Sequence, residues 1–65
     1  MTLDQLQQGE RFKTVLTERT GTVIEPGLNT TVKWDGSKAR QIGDVQFTVP
    51  YKNDIISSKT EVEKL

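Results

Sequence analysis

The chain has 65 residues, which suffices for one small domain but not for two independent hydrophobic cores. It contains neither cysteine nor histidine, which excludes disulfides, thiolate metal sites and catalysis by Ser-His or Cys-His pairs. Nine basic residues balance nine acidic residues, so no net charge attracts nucleic acid or an anionic membrane.

The N-terminal half predicts one helical turn followed by three strands. Thr2 and Gln5 have the spacing of a capping box, which predicts a helical turn at the N-terminus. Beyond it, β-branched and aromatic residues cluster in three short runs. The strands predicted from these runs are Arg11–Thr17, Thr22–Glu25 and Thr30–Trp34.

Two dipeptides in the middle of the chain have the composition of tight turns. Pro26-Gly27 predicts the connection between the second and third strands, and Asp35-Gly36 predicts a hairpin turn after the third. Ser37–Ile42 is a weak strand candidate, whereas Val45–Val49 alternates apolar and polar residues and is the best single strand. Pro50 is expected to end that strand, because proline cannot donate to a ladder.

The C-terminal segment predicts the last strand and completes the fold class. Thr60–Leu65 is expected to form a closing edge strand, a type of strand that can also pair with another chain. Five or six short strands separated by turns predict an all-β fold in a single domain, residues 1–65. In so short a chain, closing the sheet into a barrel is the economical way to remove exposed edges.

Alternation along the predicted strands assigns a hydrophobic core. Trp34 shares the parity of Val32, so it is interpreted as a core residue or a residue at the barrel rim rather than an exposed stacking ring. Tyr51 follows Pro50 and is the better candidate for an exposed aromatic side chain. The residues expected to be mostly buried are Phe12, Val23, Val32, Trp34, Val45, Phe47 and Val49.

The order of these motifs is similar to that of SH3-like small barrels of the KOW and Tudor type. The residues that carry the resemblance are Gln8–Phe12, Gly21–Ile24 and Thr31–Gly36, within roughly residues 8 to 49. The resemblance implies an SH3-like barrel of five to six short strands with one N-terminal helical turn, and it concerns fold far more than function. Tyr51–Ser57 is also similar to the end of Sm-like proteins, related barrels that form rings and bind RNA.

No pattern of catalytic residues is visible. Asp35, Asp44 and Asp54 each lie beside a turn signal, where aspartate is favoured because its side chain bonds the nearby backbone. The five glycines are scattered and form no phosphate-binding loop. The sequence therefore predicts a protein without enzymatic activity, cofactor or metal.

Nucleic-acid binding is the first functional hypothesis. Cations cluster around the Asp35-Gly36 turn, and a barrel face with a few cations and an aromatic ring can hold a nucleic-acid backbone while a base stacks. The sequence pI of about 6.2 is low for such a protein. The candidate residues for binding single- or double-stranded nucleic acid are Lys33, Lys38, Arg40, Tyr51 and Lys52.

The alternative hypothesis is a protein-interaction or homo-oligomeric module. Its candidate surfaces are the groove around Tyr51 and the Thr60–Leu65 edge, which can also build a homodimer. No apolar stretch approaches the roughly 18 residues that span a bilayer, so no membrane contact is predicted. The N-terminus lacks the apolar core of a signal peptide, and the absence of cysteine fits a cytoplasmic protein.

Overall fold

Seven strands and one 3₁₀ turn, Leu3–Gln5, make up the secondary structure. The structure is a computed structural model and describes all residues from Met1 to Leu65. The all-β prediction is confirmed, and no helix has the length and apolar character needed to cross a membrane. The strands are β1 (Arg11–Thr14), β2 (Thr20–Glu25), β3 (Asn29–Trp34), β4 (Ser37–Ile42), β5 (Val45–Pro50), β6 (Asn53–Ser57) and β7 (Val62–Lys64).

The strands form two open antiparallel sheets. The larger sheet has the order β6-β3-β2-β1-β7, so the last strand of the chain returns to pair with the first. The smaller sheet contains only β4 and β5, which pair with each other and with no other strand. Because β3 and β6 are neighbours in the larger sheet, β4 and β5 form a hairpin inserted between two adjacent strands.

This hairpin, Ser37–Pro50, projects from the rest of the molecule and is called the arm below. The molecule measures 44 × 20 × 17 Å, and its radius of gyration is 13.5 Å. A compact domain of this length has a radius of gyration of about 11 Å. Every arm residue except the half-buried Val49 is exposed, so the arm accounts for the elongated shape.

The prediction of a hairpin turn at Asp35-Gly36 is wrong. The backbone N–H of Asp35 still donates to the carbonyl of Thr20 at 3.0 Å, which extends the pairing of β3 with β2 by one residue. Gly36 then adopts a φ of +93°, a left-handed conformation that glycine accepts without cost, and the chain leaves the sheet. The two-residue hairpin turn is Gly43-Asp44, at the tip of the arm.

The core lies on the inner face of the five-stranded sheet. Two leucines of the N-terminal segment pack over this face, and the other apolar core residues come from strands β1, β2, β3 and β7. Four residues predicted to be buried are confirmed as buried: Phe12, Val23, Val32 and Trp34. Trp34 is a core residue, with 7 % of its surface exposed. The core consists of Leu3, Leu6, Phe12, Val23, Val32, Trp34 and Val62.

The predicted burial of Val45 and Phe47, on β5, is wrong. Val45 is 63 % exposed and Phe47 is 37 % exposed, while Val49 is half-buried. Alternation correctly places these three side chains on one face of a strand. That face remains open because β5 belongs to the two-stranded arm, which no other element covers.

The N-terminal segment bonds to the connection that joins the two edge strands, β6 and β7. The N–H groups of Leu3 and Asp4 donate to the carbonyls of Thr60 and Ser58, each at 2.9 Å, in the β6–β7 connection. The buried Ser58 hydroxyl also lies 2.8 Å from the hydroxyl of Thr30 on β3. The chain termini therefore hold each other in place on the larger sheet.

Two ion pairs reinforce these junctions. A hydrogen bond from the Thr2 hydroxyl, the larger cause, and one from the Lys59 ammonium hold the pKa of Asp4 below its usual range. The Lys59 nitrogen lies 3.1 Å from the Asp4 carboxylate. Hydrogen bonding to Lys64 lowers the pKa of Glu10 in the same way, across a distance of 2.6 Å. Because the folded state favours both carboxylates, their stabilising effect is present at neutral pH and is lost as the solution is acidified.

Replacing Phe12 and Phe47 separately by alanine tests the division between core and arm. We expect Phe12→Ala to lower the free energy of unfolding by about 3–5 kcal/mol, because it removes a fully buried ring. Phe47→Ala is expected to cost about 1 kcal/mol or less, because its ring packs on no core. Urea unfolding followed by Trp34 fluorescence measures both, and equal losses would contradict the assignment.

Asp4→Asn tests the acid dependence of the N-terminal junction. At neutral pH the variant is expected to melt below the wild type, and this difference should shrink as the pH falls below the ordinary range of an aspartate and Asp4 of the wild type becomes protonated. Glu25→Gln is the control, because Glu25 forms no ion pair. Thermal melts across this pH range measure the effect, and a difference that is independent of pH would contradict it.

Candidate functional site

The pairing of β4 with β5 gives the arm two unlike faces. Directly opposed residues of an antiparallel pair lie on the same side, and the pairs alternate between the two sides. One side, called the cationic face below, consists of Lys38, Arg40, Ile42, Val45, Phe47 and Val49. The other side is mostly polar and consists of Ser37, Ala39, Gln41, Gln46, Thr48 and Pro50.

The two cations of this face are unpaired. Lys38 and Arg40 are exposed, and neither takes part in any of the four salt bridges. Residues 37–52 contain three basic residues and one acidic residue, so this segment carries a formal charge of +2 and the rest of the chain carries −2. The zero net charge thus conceals a basic segment, formed by the arm and the Lys52 at its root, on an acidic body.

Phe47 is the site residue that the sequence reasoning missed. It lies directly opposite Arg40 on the cationic face, and its ring is partly exposed to solvent. Its alternation with Val45 and Val49 suggested a core strand instead. The available signal was the Gly43-Asp44 pair, because a two-residue turn there places Phe47 opposite Arg40.

The other predicted site residues lie away from the cationic face. Lys33 is on β3, between Thr22 and Asn53 on the outer face of the larger sheet, so it does not share a surface with Lys38 and Arg40. Lys52 is exposed in the connection between β5 and β6, at the root of the arm. The structure thus brings together two of the predicted cations and places a third at the root.

Tyr51 and Trp34 form the base from which the arm projects. Tyr51 is half-buried against the core rather than freely exposed. The guanidinium of Arg19 lies 4.1 Å from the centre of the Trp34 ring and 5.7 Å from that of Tyr51, and the indole N–H donates to Asp54 at 3.3 Å. The Arg19 side chain thus lies over the Trp34 ring, and Tyr51 is only partly accessible to solvent.

A groove lies on the body, between the β1–β2 loop and the β6–β7 connection. It has a volume of about 690 Å³, and Leu16 at its rim is 94 % exposed. Its apolar lining includes Val15, Trp34 and Ile56, and its rim carries both charge signs. The residues around it are Thr14, Val15, Leu16, Thr17, Arg19, Trp34, Ile56, Lys59, Thr60 and Glu61.

Comparison with known proteins gives no further assignment. No family model matches the chain, and neither the curated proteins nor the solved structures include a significant match. The structure itself shows a small all-β body and a two-stranded arm with a basic and apolar face.

Proposed function

We propose that this chain is a non-catalytic binding module that holds single-stranded nucleic acid on the cationic face of its arm. One observation carries the proposal: Lys38, Arg40 and Phe47 lie together on an exposed face, within a segment of charge +2. Unpaired cations beside a partly exposed aromatic ring are the combination that binds a flexible polyanion with flat bases.

Each residue has a separate role in this proposal. Lys38 and Arg40 are two residues apart on β4, which separates their Cα atoms by about 7 Å, and each can contact a phosphate. Phe47, opposite Arg40, offers its ring to an unpaired base. A single strand is the better ligand because its bases are free to stack, whereas those of a duplex are already stacked.

The remaining predicted residues take secondary positions. Lys52 adds a positive charge at the root of the arm, beside the cationic face. Tyr51 packs against the core at the same root. Lys33 lies on the larger sheet, where it adds to the general field without sharing the face.

We also propose that the larger sheet is an SH3-like barrel that is open between β6 and β7. Five antiparallel strands with the last paired to the first, and an N-terminal segment across the remaining gap, support this interpretation. The arm is then an insertion between the third and fourth strands of the barrel. Because the chain lacks histidine and cysteine, we propose that it acts in the cytoplasm without catalysis or cofactor.

A protein ligand is the second candidate, and the groove on the body favours it. Its apolar lining and the exposed Leu16 and Val15 are typical of a surface that binds another apolar chain. The two candidates differ in their response to salt, because binding at phosphates releases counterions and weakens as salt rises.

Neutralising the cationic face tests the proposed function. Lys38→Gln with Arg40→Gln is expected to weaken binding of a fluorescent single-stranded oligonucleotide at low salt and to reduce the salt slope by about 2. The matched control is Lys13→Gln with Lys33→Gln, which removes the same charge from two lysines of the body that form no ion pair. Fluorescence anisotropy measures both, and equal losses in the two double variants would contradict a site on the arm.

Replacing Phe47 tests the stacking contact separately from charge. Phe47→Leu is expected to weaken oligonucleotide binding by about 1–3 kcal/mol with the salt slope unchanged, because it removes the aromatic surface but no cation. Phe47→Tyr keeps a ring and is expected to bind like the wild type. Wild-type affinity in Phe47→Leu would exclude a stacking role.

A further inference from the structure

The outer edge of β5 is an unprotected sheet edge. β5 pairs with β4 on one side only, and none of its backbone groups bonds to any other part of the chain. Its six residues, VQFTVP, include no charge. The other edges do carry charge: Asp54 on β6, Glu63 and Lys64 on β7, and the cations on β4. β5 therefore lacks the charged residues that usually prevent strand pairing between chains.

The turn at the tip decides which backbone groups face this edge. A two-residue turn places its flanking residues, Ile42 and Val45, in a hydrogen-bonded pair. Bonding alternates along an antiparallel strand, so Val45, Phe47 and Val49 direct their backbone groups toward β4. The N–H and C=O groups of Gln46 and Thr48 consequently point outward and have no partner in the chain.

The residues of β5 are arranged symmetrically about Phe47. Read in either direction from this residue, the strand has a polar residue, then a valine. An antiparallel pair of identical strands needs this symmetry, because a two-fold axis between the strands must place like residues at equal distances from it.

We propose that two copies of the chain associate by antiparallel pairing of β5 with β5, on a two-fold axis at Phe47. Gln46 of each copy exchanges two backbone hydrogen bonds with Thr48 of the other, which satisfies the outward groups with four bonds. Phe47 then faces its own counterpart, and Val45 faces Val49. The inference goes beyond the proposed function and does not depend on it.

Side-chain packing and charge favour this register. It places three apolar pairs in a continuous stripe along the middle of a four-stranded sheet, with Lys38 and Arg40 on the outer strands. It also brings Asp44 at the tip of one arm beside Pro50 at the root of the other, where Lys52 supplies the opposite charge. Pro50 has no N–H and ends the pairing at that point.

The paired arms form a single, larger surface. Both cationic faces lie on the same side of the four-stranded sheet, because like faces are continuous across an in-register strand pair. The dimer therefore presents two copies of Lys38, Arg40 and Phe47 to the same solvent region. A partner chain added at an edge in this way keeps the faces of the sheet open.

Proline substitution at the edge tests the backbone bonds. Thr48→Pro removes an N–H that points away from β4, so the hairpin keeps its own ladder while each dimer loses two bonds. Sedimentation velocity of the wild type is expected to show a concentration-dependent dimer, with the dimer Kd raised about tenfold or more in Thr48→Pro. Thr48→Ala keeps the N–H and is expected to dimerise like the wild type, and the backbone amide resonances of residues 37–50 show whether the arm of each variant is folded.

Either of two results overturns the proposal: a wild type that stays monomeric up to millimolar concentration, or a dimer that Thr48→Pro leaves intact. Both are measured without nucleic acid, so they are independent of the binding experiments.

Cysteine cross-linking tests the register. In a non-hydrogen-bonded pair the Cα atoms are about 4.5 Å apart, which lies within the range of about 4.4–6.8 Å that a disulfide spans. Since the chain has no cysteine of its own, Phe47→Cys is expected to form a covalent dimer under mild oxidation. Val45→Cys should not, because its counterpart lies four residues away along the strand, roughly 13 Å. Rapid cross-linking through position 45 but not through position 47 would contradict the register.

Discussion

The packing of Phe12 against Trp34 over Gly21 determines the geometry of the whole chain. The three residues form one row across β1, β2 and β3, with Gly21 in the middle. The rings meet edge to face, 5.7 Å apart at an angle of 66°. They can do so because Gly21 has no side chain: a Cβ there would lie 2.9 Å from the carbonyl oxygen of Lys33 and 3.1 Å from the Phe12 ring. This contact fixes the register of three strands at once.

The same contact determines where the arm begins. Trp34 is the last residue of β3, and its ring is held by Phe12, by the guanidinium of Arg19 and by the carboxylate of Asp54. The chain leaves the sheet within two residues of this anchored ring and returns at Tyr51, which packs against the same core. A firmly held tryptophan thus gives a two-stranded arm a rigid root on a body with a small core.

The arm on its own has little to stabilise it. An isolated two-stranded hairpin is at best marginally stable in water, since its apolar residues gain little burial. Ile42 and Val45 remain more than half exposed at the tip. A ligand on the cationic face, or a second arm along β5, would therefore stabilise a part of the molecule that its own core does not reach.

The sequence predicted the body better than the arm, for a physical reason. Residues such as Val32 and Trp34 were assigned to the core because alternation identifies the apolar face of a strand, and in the body that face is covered. The same alternation in β5 identified the right face but not its exposure, which depends on which strands are neighbours. Parity also placed Lys38 and Arg40 on one side of β4, as observed. Their separation from Lys33 followed from Gly36, which takes the chain out of the sheet instead of turning it back.

Nuclear magnetic resonance most directly tests the central claim that the arm is the binding element. An isotope-labelled sample titrated at low salt with a short single-stranded oligonucleotide reports the change at each backbone amide. We expect saturable shifts confined to residues 37–52, largest around Arg40 and Phe47, which diminish as salt is added. Amides of the core, such as those of Val23 and Val62, should not move. Shifts centred on the groove between Val15–Arg19 and Lys59–Glu61, or no shifts at all, would contradict the account.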